Sequence, residues 1–218
     1  MSRKFTTVLW DLDGTLVDSK IDIIDCLCSS AEVAGISAEN LKEKFQIGPT
    51  IKVIVRNAIP EIDDVHMEAV IEGYRKRYDY SSFPKTVPYN GIDDLVHKLT
   101  SLNQFVITNK PKLPTSRIIR KFDWDNLFKA VYTPDRMDPS SKLTKVELFA
   151  QVIREQRLAV KDCLAIGDTV ADIEAAHAAG IQAIGVSWGY TPYNELQKAK
   201  PDAVVESAEE LLTKLTNK

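Results

Sequence analysis

Cysteine, histidine and long apolar runs are scarce in this 218-residue sequence, and each shortage excludes a class of protein. The three cysteines and three histidines show no metal-ligand spacing, and an odd cysteine count does not suit a disulfide-stabilised secreted domain. No run of about 18 apolar residues is present, so no membrane span is expected. A signal peptide is not expected either, because Asp11 and Asp13 interrupt the first apolar stretch.

An excess of charge of one sign is also lacking, since the formal net charge is only -3. A nucleic-acid-binding protein normally carries a basic face, so this class is disfavoured. The composition, with 44% hydrophobic and 27% charged residues, supports a sizeable buried core. We therefore expect a cytoplasmic globular protein, monomeric or homodimeric, that binds neither nucleic acid nor membrane.

Short apolar runs recur along most of the chain, with helical patterns between the later ones. Continuous apolar runs of this length are typical of strands that are buried on both faces of a parallel sheet. Strands that alternate with helices predict an α/β fold with a doubly wound parallel sheet. The predicted strands are centred on residues 8–10, 105–107, 130–132, 164–166, 183–186 and 203–205.

One region interrupts this alternation. Residues 17–84 contain no convincing pair of strands, but helical stripes begin near Ile21, Val53 and Met67. A connection of this length must carry its own structure. We expect residues 1–16 and 85–218 to form the α/β core, and residues 17–84 to form a small helical cap domain.

Polar residues follow several of the predicted strands directly. Because open α/β sheets bind ligands outside the carboxyl ends of their strands, we expect these residues to meet at one edge. The three groups of polar residues are Asp11-Leu12-Asp13-Gly14-Thr15, Thr108-Asn109-Lys110 and Gly167-Asp168-Thr169. Asp172 lies one helical turn after the third group, and Lys142 or Lys145 opens the helix before the strand that ends at this group.

This set of side chains suits phosphoryl transfer. Several carboxylates in one cleft would repel each other, and Mg²⁺, which binds carboxylates and phosphate oxygens, would relieve the repulsion. A lysine and a threonine hydroxyl suit the remaining phosphoryl oxygens, and Gly14 allows backbone amides to turn toward them. One aspartate would attack phosphorus and a second carboxyl group would handle the proton.

In this order along nearly the whole chain, these motifs resemble the haloacid dehalogenase superfamily. Asp13 favours a phosphatase or phosphomutase over a dehalogenase, because an alkoxide leaving group needs a proton and a halide does not. We also expect Gly14, Thr15, Asn109 and Arg75 to contact the substrate. The resemblance implies that Asp11 is the nucleophile and a metal ligand, Asp13 is the general acid/base and a metal ligand through its carbonyl, Thr108 and a lysine hold phosphate, Asp168 is a metal ligand and Asp172 supports the metal.

The position of the lysine departs from the family pattern, which usually has Lys-Pro. Lys142 has the better spacing before Gly167 and is the preferred phosphate-binding residue. Lys145 is then expected on the surface of a helix. It stays open as the alternative, because a lysine has a flexible stem and can reach from a neighbouring turn.

Narrower resemblances favour the phosphoglycolate phosphatases. They lie in residues 106–111, in Gly185-Val186-Ser187-Trp188-Gly189-Tyr190 and in Ile47-Gly48-Pro49. The predicted function is a Mg²⁺-dependent phosphatase for a small phosphorylated metabolite, with phosphoglycolate as the first candidate. The alternatives are a sugar phosphomutase similar to β-phosphoglucomutase, a pyrophosphatase or nucleotidase on the same scaffold, and a binding protein that has lost turnover.

Overall fold

The computed structural model describes residues 5–45, 47, 50–135 and 143–216. The chain forms two compact units, of which the larger combines Met1–Asp18 with Pro88–Lys218 and the smaller is Ser19–Val87. The chain leaves the larger unit after Asp18 and re-enters it at Pro88, whereas the sequence prediction divides the domains after residues 16 and 84. In the described part of the chain, no helix is both long enough and apolar enough to cross a membrane.

The larger unit is built on a parallel sheet, as predicted. Six strands follow the order β5-β4-β1-β6-β7-β8, while β2 and β3 form a separate two-stranded sheet. Every residue of β1 is buried, which explains why the run is apolar without alternation. In chain order the strands are Thr7–Trp10 (β1), Val17–Asp18 (β2), Val87–Pro88 (β3), Asn103–Ile107 (β4), Ala130–Tyr132 (β5), Cys163–Gly167 (β6), Gln182–Val186 (β7) and Ala203–Val205 (β8).

The sheet topology brings the predicted site residues to one edge. Strand β1 lies between β4 and β6, and Trp10 is paired with Val106 on one side and with Ile166 on the other. The three strands are parallel, so the residues that follow them emerge side by side. Strands β1, β4 and β6 therefore place Asp11, Thr108 and Asp168 at adjacent strand ends.

Six helices of the described chain belong to the larger unit. In the third of these helices along the chain, helical spacing in the sequence predicts an apolar stripe of Val146, Phe149 and Ile153, but Val146 is exposed and Lys145 is buried instead. The buried stripe thus starts one residue earlier than predicted. The helices are Ile92–Lys98 (α5), Lys112–Lys121 (α6), Lys145–Gln156 (α7), Val170–Ala178 (α8), Tyr193–Lys198 (α9) and Ala208–Thr216 (α10).

The smaller unit is helical, as predicted, and its described residues contain four helices where three stripes had been recognised. The additional helix, α2, buries only Leu41, which is too little apolar surface to produce a visible periodicity. The helix α1 ends just before Gly35, whose φ of 77° is the left-handed conformation that suits glycine. The four are Lys20–Val33 (α1), Glu39–Lys44 (α2), Ile51–Ala58 (α3) and Asp64–Tyr78 (α4).

The two ends of the smaller unit are fastened to each other within that unit. The buried Asp22 carboxylate, in the first turn of α1, accepts the Thr86 hydroxyl at 2.6 Å. It also accepts the backbone N–H of Lys85, at 3.1 and 3.2 Å from its two oxygens. The Lys85 ammonium forms an exposed ion pair with Asp25 at 2.7 Å.

Candidate active site

Asp11 is the first residue after β1, and the sheet holds its backbone. Its N–H donates to the carbonyl of Ile166 at 2.9 Å, so the ladder with β6 continues past the end of the strand. The chain then turns through Gly14, which has a φ of 88°. A β-carbon at Gly14 would overlap the carboxylate of Asp168, so both the conformation and the close approach require glycine.

Three buried carboxylates meet at this edge. Asp11, Asp168 and Asp172 each offer one oxygen, and these oxygens all lie within 4.8 Å of one another. Asp172 reaches the cluster from the first turn of α8, where it forms a capping box with Thr169. Capping fixes the start of the helix, and the start of the helix fixes the position of Asp172. The predicted metal-binding carboxylates are therefore together in space.

The charge of this cluster is not balanced by its protein neighbours. Burial, followed by repulsion from Asp172 and Asp168, raises the pKa of Asp11 well above its ordinary value against the opposing effect of Lys145. Burial and repulsion from Asp172 raise the pKa of Asp168 to about 7. Burial disfavours the ionised carboxylates, and the single ammonium group of Lys145 does not offset this effect and their mutual repulsion. The oxygen-only donor set and the excess of negative charge fit a hard divalent cation such as Mg²⁺.

Lys145 is the lysine that the structure places in the site. Its ammonium contacts Asp11 Oδ1 and lies 2.6 Å from Asp172 Oδ1. Burial alone would lower the pKa of Lys145, but the two carboxylates raise it above its usual range. The expectation that Lys145 lies on the surface of a helix is wrong. The preferred candidate, Lys142, lies outside the described residues.

The start of α7 explains the position of Lys145. Thr144 caps the helix, and its side chain and that of Glu147 form a reciprocal capping box. The capping box makes Lys145 the first residue of the helix, so its side chain points back toward the carboxyl edge of the sheet. Thr144 and Glu147 have the spacing of a capping box in the sequence, and this signal could have identified Lys145 as the first residue of a helix.

Asp13 has a lysine partner, Lys110, to which the sequence motifs assigned no role. The Lys110 ammonium lies 2.8 Å from both carboxylate oxygens of Asp13. The Lys110 side chain is only 4% exposed, so this ion pair is shielded from water. Thr108 is also buried, and its hydroxyl accepts the backbone N–H of Lys110 at 3.1 Å. The residues after β4 therefore support Asp13 as well as supplying the predicted phosphate-binding hydroxyl.

Asp168 is held from two loops. The Thr15 hydroxyl donates to its Oδ1 at 3.1 Å, and the backbone N–H of Tyr190 donates to its Oδ2 at 2.8 Å. The indole N–H of Trp188 in turn donates to the carbonyl of Thr15 at 3.1 Å. Thr15 was expected to contact the substrate, and in this structure its hydroxyl orients a carboxylate. The sequence analysis assigned no role in the site to Trp188 or Tyr190.

The other predicted substrate-binding residues stay predictions. Asn109 is exposed directly after Thr108, at the carboxyl edge of the sheet. Arg75 is exposed in the last turn of α4, in the smaller unit. Gly48 and Pro49 lie outside the described residues.

The chain is similar to known proteins over most of its length. The family model of the haloacid dehalogenase-like hydrolases matches residues 8–186. A 5'-nucleotidase from Pseudomonas aeruginosa is 29% identical to this chain, and the match covers 91% of this chain and 90% of that protein. A phosphoglycolate phosphatase from Pseudomonas fluorescens is also 29% identical, and the match covers 94% of this chain and 78% of that protein. The structure of a predicted phosphatase from Clostridium acetobutylicum is 27% identical, covers 96% of this chain and 97% of its own, and superposes with a TM-score of 0.82. The chain therefore belongs to the haloacid dehalogenase-like hydrolases, and within them it resembles the phosphoglycolate phosphatases.

Proposed function

We propose that this phosphoric monoester hydrolase is Mg²⁺-dependent and transfers the phosphoryl group of a small metabolite first to Asp11 and then to water. The observation that carries the proposal is the buried cluster of Asp11, Asp168 and Asp172, whose oxygens lie within 4.8 Å of one another. Lys145 supplies only one positive charge to this cluster. Asp13 stands two residues beyond Asp11, where the proposed chemistry needs a second carboxyl group.

The proposed steps use residues of this chain. An Asp11 oxygen forms a bond to phosphorus while the bond from phosphorus to the leaving oxygen breaks, and Asp13 donates a proton to that oxygen. Asp13 then accepts a proton from water, whose oxygen bonds to phosphorus and releases the Asp11 carboxylate. Lys145 and Thr108 bind phosphoryl oxygens. Mg²⁺, when held by Asp11, Asp168, Asp172 and the carbonyl of Asp13, supplies positive charge that stabilises the transferring group.

Phosphoglycolate is the proposed substrate. Residues 106–111 and 185–190 support this proposal because they resemble the corresponding stretches of phosphoglycolate phosphatases. The Pseudomonas fluorescens relative, a phosphoglycolate phosphatase, supports it as well. The 5'-nucleotidase relative makes a nucleoside monophosphate the second candidate. We further propose a cytoplasmic location, which the three free cysteines support.

The test is phosphate release from phosphoglycolate, nucleoside monophosphates, pyrophosphate and p-nitrophenyl phosphate, with Asp11→Asn as the control for contaminating phosphatase. Activity is expected only with Mg²⁺, and Ca²⁺ is expected to inhibit because it accepts more ligands and looser geometry. Full activity in excess EDTA after metal stripping would contradict the metal assignment. Isomer formation from β-glucose 1-phosphate, without phosphate release from any ester, would instead identify a mutase.

A further inference from the structure

We propose that Tyr190 is a positioning residue that couples Asp168 to both chain segments through which the smaller unit is attached. The inference rests on the proposed function in one respect, since it takes Asp168 as a ligand of Mg²⁺. It adds a residue to which the sequence motifs assigned no role in the site, and it predicts that metal affinity depends on the conformation of the two attachments.

The backbone of Tyr190 orients Asp168. Its N–H donates to Asp168 Oδ2 at 2.8 Å, while the Thr15 hydroxyl holds Oδ1 at 3.1 Å. Neither oxygen can rotate without losing a hydrogen bond in a buried environment, where such a loss is costly. Removing a group that holds a metal ligand in this way typically lowers metal affinity by about 10- to 100-fold.

The hydroxyl of the same residue reaches both attachments. It donates to Asp18 Oδ1 at 3.0 Å, and Asp18 is the last residue before the smaller unit begins. It also shares a hydrogen bond with the phenol of Tyr89, which follows the first residue after the smaller unit ends. One side chain therefore connects the outgoing and the returning segment, and its own amide connects them to Asp168.

The loop that carries Tyr190 has little freedom to absorb a displacement. A β-carbon on Gly189 would overlap the side chain of Asp168, so the backbone lies directly against this carboxylate. The Trp188 indole donates to the Thr15 carbonyl, and its ring centroid lies 6.4 Å from that of Tyr89. A shift of Asp18 or Tyr89 must then move the Tyr190 amide. Any such coupling is reciprocal, so a metal bound at Asp168 also stabilises one conformation of the attachments.

The experiment measures Mg²⁺ binding to the full chain by titration calorimetry, without substrate. Tyr190→Phe removes the hydroxyl and keeps the amide, and it is expected to weaken Mg²⁺ binding by about tenfold. Asp18→Ala should weaken binding similarly, and the double variant should be no weaker than either single one. Asp18→Asn keeps an acceptor oxygen and should restore most of the affinity. The matched control is Tyr193→Phe, which removes a hydroxyl that accepts a hydrogen bond from the side chain of Gln197 on an exposed helix turn.

Hydrogen exchange gives a second readout. Mg²⁺ should protect backbone amides of residues 15–18 and 89–91 in the wild type, and this protection should be lost in Tyr190→Phe at an unchanged melting temperature. Normal Mg²⁺ affinity and normal protection in Tyr190→Phe would overturn the coupling alone. A wild-type chain that binds no Mg²⁺ would instead overturn the metal assignment, and this inference with it.

Discussion

Asp11 combines burial with a backbone fixed by the sheet, which is what a nucleophile needs in order to meet phosphorus in one orientation. Asp11→Asn is expected to lower turnover by several orders of magnitude, because an amide cannot attack phosphorus. The side chain is nearly isosteric, so the circular dichroism spectrum should not change. The assay is phosphate release, and a rate near that of the wild type would exclude the aspartyl-phosphate mechanism.

Lys145 allows the choice between the two lysines to be tested. Lys145→Ala leaves Asp11 and Asp172 without their shared ammonium, so kcat/KM is expected to fall by about 10²-fold or more. Removing one partner of a buried ion pair should also destabilise the metal-free protein by about 3 kcal/mol. Lys142→Ala is the matched variant and should change both quantities far less. The reverse ranking in steady-state assays would return Lys142 to the site.

For individual residues, the sequence predicts the site residues that lie next to a strand end, but it does not reveal the side chains that reach the site from other parts of the chain. Asp11 and Asp168 follow apolar strands directly, so their positions can be predicted from the strands. The partners of Lys110 and Tyr190 lie far away along the chain, so no local pattern reveals their hydrogen bonds. A lysine has a long side chain that can reach the site from several positions, so spacing along the sequence does not identify the correct lysine and favoured Lys142.

Helix α7 shows how an element delivers a charged group, because its capping box decides where the first turn begins. Thr144→Ala is expected to destabilise the protein by about 1 kcal/mol through the loss of the cap. Since Lys145 is the next residue, kcat should fall as well. The matched control is Thr213→Ala, which removes the hydrogen bond that the exposed Thr213 hydroxyl donates to the Glu209 carbonyl within α10. Thermal melts and phosphate release measure the two effects, and a loss of stability with unchanged kcat would separate the cap from Lys145.

The positions of the strands could be predicted from the sequence, whereas the buried face of each helix could be predicted less well. The strands β1 and β6 are buried along their whole length and give continuous apolar runs, whose short length and separation by helical patterns identify them as strands. In α7 the stripe was displaced, because a buried lysine does not count as apolar although it faces inward. In α2 a single buried leucine is too weak a signal. The physical reason is the same in both helices, since the periodicity records only apolar burial.

For the whole molecule, the insertion of a helical unit into an α/β core suggests that different parts recognise different parts of the substrate. If the smaller unit selects the leaving group, Arg75→Ala should lower kcat/KM for phosphoglycolate by about tenfold, the equivalent of one charged hydrogen bond. Acetyl phosphate should be affected far less. Lys76→Ala is the control, since its exposed ammonium pairs with Glu72. A uniform decrease for all esters would make Arg75 a structural residue.

The site also affects stability as a function of pH. The pKa of Asp168 rises from 3.8 in its ordinary state to about 7 in the folded protein, because of burial and then Asp172. Between these pH values the metal-free folded state binds more protons than the unfolded state, so the free energy of unfolding should fall as pH rises. Mg²⁺ binds ionised carboxylates, so its stabilisation should increase over the same range. Melting temperatures at several pH values with and without Mg²⁺ test this, and Asp168→Asn should flatten the metal-free profile.

The Asp22 contacts have a consequence for how such a molecule can change over evolutionary time. Because the two ends of the smaller unit are tied together by residues of that unit, the rest of the chain is interrupted only by what amounts to a short loop. The entropy of closing a loop depends on the distance between its ends and only weakly on the amount of chain inside it. The helical unit can therefore be replaced by another of different size without unfolding the catalytic half. If the smaller unit selects the leaving group, such an exchange would change the ester that is recognised while the phosphoryl chemistry is inherited intact.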